Sequence, residues 1–131
     1  MIVIDASVLA NVVGDDGQDG HRARGELRDV ADLSAPDLVD VETVSVLRKR
    51  WLAGTLSDQR FAAAVEDLEH LAFERVPVLR LMRRAYELRA NVSAYDASYV
   101  ALAELLGCEL LTADQRLAKA PGPRCTIRLV G

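Results

Sequence analysis

The chain has few residues that could build covalent or transition-metal cross-links. It contains two cysteines and two histidines in 131 residues. Cys108 and Cys125 each lie in an apolar stretch, which favours buried, reduced thiols over a disulfide or a metal pair. His21 and His70 are too isolated for a zinc site. A bound metal would therefore need oxygen ligands, which suit magnesium or manganese.

The chain also lacks a long hydrophobic run and an excess of positive charge. The apolar start, residues 1–4, is interrupted by Asp5 and has no preceding Lys or Arg, so we expect neither a signal peptide nor a membrane span, and a cytoplasmic location. Sixteen basic against 20 acidic residues give a net charge of -4, which argues against a simple electrostatic nucleic-acid binder. Acidic residues gathered around divalent ions would weaken this objection, because the ions offset their charge.

Composition and length indicate a globular protein. Half of the residues are hydrophobic and 27% are charged, which excludes a disordered tail and a disulfide miniprotein. A chain of this length buries about two-thirds of its unfolded surface. We therefore expect one core and one domain spanning residues 1–131.

Strand and helix patterns alternate along the chain. Pro36 suits the first turn of a helix, Ser57 is a helix cap, and Gly107 is a helix stop. The predicted strands cover residues 1–4, 33–35, 73–78, 108–112 and 125–130. A short helix follows the first strand, and further helices are predicted near residues 21–33, 36–51, 57–72, 79–90, 93–107 and 114–119. This order predicts an α/β fold in which helices cover both faces of a parallel sheet.

Two acidic residues directly follow predicted strands. Ligands of open parallel sheets bind beyond the carboxyl ends of the strands, and Asp5 and Asp114 lie there. The alternative for each is a helix N-cap. Ser7 and Thr112, two residues from these acids, could support them through their hydroxyl groups or could equally cap locally.

Two more acids lie in the first parts of helices. Asp96 shares a helix face with Tyr99 and other apolar residues, so it is predicted to point inward, although a capping box with Ser93 also explains it. Glu42 lies on a helix that is apolar nearly all the way round and is predicted to be buried, but its polar stripe could simply face water. Placing all four acids near one crevice costs stability unless divalent cations compensate them. Magnesium would then suit phosphodiester hydrolysis.

The residues around these acids resemble the four acidic motifs of PIN domains. They read DASVL from Asp5, VET around Glu42, YDASYVALA from Tyr95 and LTADQRL from Leu111. They occur in the family's order, and essentially the whole chain is similar to VapC-type toxins of bacterial toxin-antitoxin pairs. Each motif is weak alone, but four together are specific.

The resemblance implies a three-layer α/β/α sandwich with a five-stranded, mostly parallel sheet, and a magnesium-dependent endoribonuclease in which manganese may substitute. Asp5 and Asp96 would be the principal magnesium ligands, Asp114 a further ligand or second-metal contact, Glu42 a ligand or water-orienting base, and Thr112 a supporting residue. It also implies RNA as substrate, a VapB-like antitoxin, and a homodimer within the complex. The alternative is a non-catalytic PIN module that binds RNA or protein.

Other surface features and protein classes carry less weight. The acidic, glycine-rich loop at residues 14–20 departs from the family pattern, so we expect its RNA or antitoxin contacts to be particular to this chain. Basic side chains could line an RNA path or simply be solvated: these are Arg80, Arg83, Arg84, Arg89 and Arg116. Receiver domains, dinucleotide-binding folds and dehalogenase-like phosphatases are disfavoured, because the motifs that each needs are missing.

Overall fold

The computed structural model describes all 131 residues and contains five strands. The strands are β1 (Ile2–Ile4), β2 (Leu33–Pro36), β3 (Glu74–Val76), β4 (Glu109–Thr112) and β5 (Ile127–Leu129). The helices are α1 (Ala6–Gly14), α2 (Gln18–Leu27), α3 (Val39–Leu52), α4 (Asp58–His70), α5 (Met82–Glu87), α6 (Ala94–Leu106) and α7 (Gln115–Ala118). A 3-10 turn, Leu79–Leu81, leads into α5.

The strands form one parallel sheet in the order β3-β2-β1-β4-β5. The central strand β1 pairs with β2 on one side and with β4 on the other, so Val3 lies between Ser34 and Leu110. Successive strands are added outward from β1 in one direction and then, from β4, in the other. This reversal creates a crevice at the carboxyl ends of β1 and β4, where parallel α/β folds place ligands.

Helices cover both faces of the sheet, as the α/β prediction requires. On one face α1 packs against α2, α3 and α4, and on the other α6 packs against β1, β2, β4 and α5. The strand β1 is buried along its length because it reads Ile-Val-Ile, and α6 buries seven consecutive residues, 97–103. These two elements hold the centre of the core, and both lead directly to the crevice.

Two helix starts were predicted wrongly. The second helix begins at Gln18 and ends at Leu27, not at 21 and 33, because the Asp15 Oδ1 accepts from the backbone N–H groups of Gly17 and Gly20 and so orders the start of the helix. Pro36 ends β2, opposite Val76, and does not begin a helix. Proline fits this extended strand end, since its fixed φ is compatible with extended backbone, and α3 starts three residues later.

Two further expectations about helices are corrected. Helix α3 is not buried all round: Val39, Thr43 and Leu47 are its buried residues, while Val41 is 74% exposed. The predicted helix over 79–90 is a 3-10 turn followed by the six-residue α5. No helix combines the length and the hydrophobicity that a bilayer crossing demands.

Both cysteines are free and half-buried. Burial raises the pKa of each thiol, that of Cys125 to about 11. The thiols are therefore less enclosed than predicted.

Candidate active site

Asp5 lies at the end of β1 and is 4% exposed. It caps helix α1, because its Oδ1 accepts from the backbone N–H of Val8 at 3.1 Å, and it also accepts from the Ser7 hydroxyl at 2.6 Å. Its Oδ2 accepts from the Thr112 hydroxyl at the end of β4. Asp5 is therefore an N-cap, as the alternative predicted. The same carboxylate also links the ends of β1 and β4 at the crevice.

Hydrogen bonds fix the neighbouring strand end as well. The Thr112 hydroxyl accepts from the backbone N–H of Asp114 at 3.0 Å, and the Ser7 hydroxyl accepts from that of Ala113 at 3.0 Å. The Asp114 Oδ1 caps helix α7 by accepting from Arg116 N. Ser7 and Thr112 thus hold Asp5 and the Asp114 backbone in one network across β1 and β4.

Asp96 enters the crevice from the first turn of α6. Its backbone N–H donates to the Ser93 hydroxyl at 3.2 Å, which is one half of the capping box considered above. The other half is missing, since the Asp96 carboxylate makes no hydrogen bond with the chain. Asp96 and Asp114 line the same open cavity, of about 400 Å³. The half-buried Asp96 carboxylate is therefore free to bind a ligand there.

Glu42 does not simply face water. The hydroxyl of Tyr99, a residue only 1% exposed on α6, donates to Glu42 Oε1 at 2.6 Å. This bond crosses from the α6 layer to α3 at the crevice. The helical spacing of Tyr99 from Asp96 predicts an inward-facing side chain, and on that face Tyr99 counts as apolar apart from its hydroxyl. The hydroxyl was the signal that pointed to a polar partner, because a buried tyrosine O–H is usually paired.

The pKa values of Asp5, Asp96 and Glu42 are all raised, first by burial and then by the charge of neighbouring carboxylates. Burial raises the pKa of Asp5, hydrogen bonds from Ser7, Thr112 and Val8 oppose the rise, and the charge of Asp114 adds to it. Burial also raises the pKa of Asp96, with repulsion from Asp5 and Asp114 in addition. Burial raises the pKa of Glu42, and Asp96 and Asp5 contribute to the rise. The crevice therefore concentrates negative charge that Arg116, 3.8 Å from the Asp114 Oδ1, neutralises only in part.

The residues present fit a divalent cation. No three histidine, cysteine, aspartate or glutamate side chains converge closely enough to enclose an ion by themselves. Magnesium does not need such a cage, since it keeps several waters and usually takes one or two carboxylates. The oxygen-only donors, the free Asp96 carboxylate and its shared cavity with Asp114 satisfy that requirement. A cation would also offset the repulsion that raises the pKa of Asp96.

The arginines proposed to line an RNA path are dispersed. Arg84 is committed to Glu104 at 2.7 Å, and the Arg89 guanidinium stacks over Tyr86. Arg116 lines the cavity of Asp96 and Asp114 and is 95% exposed. Arg116 alone of the five is placed beside the acids by these contacts.

The fold and this crevice define a class of parallel α/β proteins with carboxylates gathered at the topological switch point. The family model described as the PIN domain matches residues 2–123. A VapC ribonuclease of Mycobacterium bovis is 44% identical over 99% of this chain and 98% of its own length. Ribonuclease VapC1 of Mycobacterium tuberculosis is 40% identical over 98% of this chain and 96% of its own. The chain belongs to the PIN-domain family and, within it, to the VapC ribonucleases.

Solved structures agree on the fold. PAE2754 from Pyrobaculum aerophilum has a TM-score of 0.69 at 23% identity, covering 96% of this chain and 81% of that chain. VapC20 from Mycobacterium tuberculosis, described as a Sarcin-Ricin loop cleaving toxin, also has a TM-score of 0.69, at 19% identity, covering 89% of this chain and 92% of that chain. The three-layer sandwich implied by the motifs is therefore confirmed.

Proposed function

We propose that this chain is a magnesium-dependent endoribonuclease toxin that hydrolyses RNA phosphodiester bonds, with manganese able to substitute. The observation that carries the proposal is that Asp5, Glu42, Asp96 and Asp114 lie around one crevice, where burial and then the charges of neighbouring carboxylates raise the pKa of Asp5, Asp96 and Glu42. The names of the relatives support ribonuclease chemistry. Residues 1–131 would act as one domain in the cytoplasm.

Each carboxylate has a role that follows from its surroundings. Asp5, whose two oxygens are held by three hydrogen bonds, is a fixed ligand. Asp96 is the adaptable ligand because its carboxylate has no hydrogen bond, and Asp114 faces the same cavity. Glu42, steadied by Tyr99, orients the attacking water. The metal, when bound, would lower the pKa of water and offset the charge of the phosphate.

The first prediction concerns cleavage of RNA by the purified chain in a magnesium or manganese titration. We expect metal-dependent cleavage, and a loss of about 100-fold or more in Asp5→Asn and in Asp96→Asn, comparable to the loss of one charge-stabilising group in other enzymes. Asp96→Asn is the cleaner variant, because no hydrogen bond to its carboxylate is lost. Gel analysis of a defined RNA oligonucleotide gives the rate, and the melting temperature verifies folding.

Asp29→Asn is the matched control, since Asp29 is exposed and outside the crevice. Full activity of folded Asp96→Asn would remove Asp96 from the site. A wild-type chain that binds RNA but does not cleave it at any metal concentration would point to the non-catalytic PIN module.

We also propose that a VapB-like antitoxin neutralises the chain within a complex that contains a toxin homodimer. The surface supports a protein partner, because an open groove of about 830 Å³ between α3 and α4 is lined by apolar side chains that include Trp51 and Phe61. Exposed apolar surface of this kind marks interaction sites. Co-expression with the product of an adjacent small reading frame, followed by size-exclusion chromatography, tests for the complex.

A further inference from the structure

A second cavity, of about 350 Å³, opens next to the acidic crevice between α1, α2 and α3. Its polar lining consists of Ser7, Asn11, Asp19, Arg22 and Arg50. Ser7 connects it to the crevice, because the Ser7 hydroxyl also donates to Asp5. A strand of RNA with one phosphate at the carboxylates therefore has a polar path into this cavity.

Arg50, which also lines a larger cavity beside Asp15 and Asp16, has an incomplete set of hydrogen bonds. Its Nη2 donates to Asn11 Oδ1 at 2.7 Å, whereas its Nη1 is buried and has no hydrogen-bond partner. Only one other buried side-chain polar atom in the chain, Thr43 Oγ1, is unpaired in the same way. An unpaired buried donor is costly, and more so on a charged group. The Arg50 guanidinium is thus held by Asn11 through Nη2, while Nη1 can still donate to an acceptor.

The chemistry of the cavity selects an anion. Arg50 and Arg22 contribute two positive charges against the single carboxylate of Asp19, so the lining is basic although the chain as a whole is acidic. The planar fork of a guanidinium matches the oxygens of a phosphate. A phosphate bound in the cavity would offer the acceptor that Nη1 lacks.

We propose that this cavity, which we call the Arg50 subsite, binds a non-scissile backbone phosphate of the RNA substrate. Arg50 makes the charged contact, Asn11 positions it, and Arg22 adds a solvent-exposed positive charge. The subsite holds the strand so that a neighbouring phosphate lies at the carboxylates. This inference rests on the proposed function.

The test compares Arg50→Gln with the wild-type chain in steady-state cleavage of a short RNA oligonucleotide at several salt concentrations. We expect KM to rise about tenfold, the scale of one lost hydrogen bond to a charged group, while kcat changes less than about twofold because binding alone is affected. The slope of log KM against log salt should fall by about one phosphate contact.

Arg28→Gln is the matched control, because Arg28 is exposed at the end of α2 and lines neither the Arg50 subsite, nor the acidic crevice, nor the groove between α3 and α4. Its KM and salt slope should stay at wild-type values. If Arg50→Gln loses its fold by circular dichroism, Arg22→Gln replaces it, since Arg22 is exposed and its removal should lower the salt slope as well.

Three outcomes separate the hypotheses. Unchanged KM and salt slope in folded Arg50→Gln, or in Arg22→Gln if that variant is used, overturn the Arg50 subsite while cleavage by the wild type leaves the proposed function standing. If folded Arg50→Gln keeps its RNA kinetics but no longer binds the antitoxin, the cavity belongs to the protein partner. That result also overturns the RNA subsite. A wild-type chain that cleaves no RNA removes the proposed function on which the subsite depends.

Discussion

Single residues explain the acidic, glycine-rich loop between α1 and α2. The Asp15 Oδ1 accepts from the backbone N–H of Gly17 and of Gly20, and the Arg24 guanidinium donates to three carbonyls at the end of α1. A Cβ on Gly20 would lie 1.8 Å from the Asp15 carbonyl oxygen. Turn geometry therefore accounts for Asp15, Gly17 and Gly20 in this loop.

Gly20→Ala and Gly25→Ala make the same chemical change in the same helix and should have opposite effects. The methyl group at Gly20 collides with backbone that cannot move aside, so we expect a loss of at least about 2 kcal/mol in the free energy of unfolding. Nothing lies within 4 Å of a Cβ on Gly25, so Gly25→Ala should gain up to about 1 kcal/mol from helix propensity. Urea unfolding measures both, and a stabilised Gly20→Ala would contradict this account.

The site residues differ in how far the sequence could reveal them. Asp5 and Asp114 were predictable, because an acid right after an apolar strand must lie at the carboxyl edge of a parallel sheet. Asp96 was predictable from helical spacing. The Tyr99 contact with Glu42 and the Asn11 contact with Arg50 were not, because both join side chains on different helices whose relative rotation depends on packing.

At the scale of elements, the short segments were the hardest to predict. The starts of helices α4 and α6 were predictable from the serines that cap them. The end of α6 was predictable from Gly107, whose φ of 65° few other residues adopt easily. Residues 79–90 have helical periodicity but form only a 3-10 turn and a short α5, which depends on contacts with α6. Local pattern sets the long helices, whereas tertiary contacts set the short ones.

The link between α5 and α6 is an ion pair that should make stability depend on pH. Glu104 on α6 accepts from Arg84 at 2.7 Å and from the backbone N–H of Arg124 at 2.7 Å. Burial alone would raise the pKa of Glu104, but these hydrogen bonds outweigh burial and hold the pKa below its usual value of 4.5. A carboxylate with a lowered pKa stabilises the fold above its unfolded pKa, and this contribution is lost as the pH falls through its folded pKa.

Glu104→Gln should therefore lower the free energy of unfolding by about 1–2 kcal/mol at pH 7. This difference from wild type should shrink as the pH falls below about 4.5. Glu87→Gln is the matched control: Glu87 pairs with the same Arg84, but at 3.4 Å and half exposed, so its loss should cost less than about 0.5 kcal/mol. Denaturant unfolding at several pH values measures both. Equal effects of the two substitutions, or a Glu104→Gln deficit that persists undiminished at low pH, would be inconsistent with this assignment.

For the whole molecule, the net charge was a poor guide to function. The chain is acidic, yet its charges are distributed by the topology: carboxylates converge at the switch point between β1 and β4, while Arg22 and Arg50 line the adjacent cavity. The alternation of strands and helices predicts that the sheet is parallel. It does not predict which strands are neighbours, and the strand order depends on that. The local charge of a cleft depends on that order, so composition alone could not reveal it.

Cation binding at the crevice should stabilise the whole fold. A ligand that binds only the folded chain adds about 1.4 kcal/mol when its concentration is tenfold above Kd, so magnesium should raise the melting temperature by a few degrees and chelation should reverse the rise. Asp96→Asn should raise the melting temperature without magnesium, because it removes a charge that Asp5 and Asp114 repel. The same substitution should reduce the increase in melting temperature that magnesium produces.

Sodium chloride at matched ionic strength is the control. If sodium chloride reproduces the magnesium effect, or if Asp96→Asn keeps the full increment, the stabilisation does not come from a cation at Asp96.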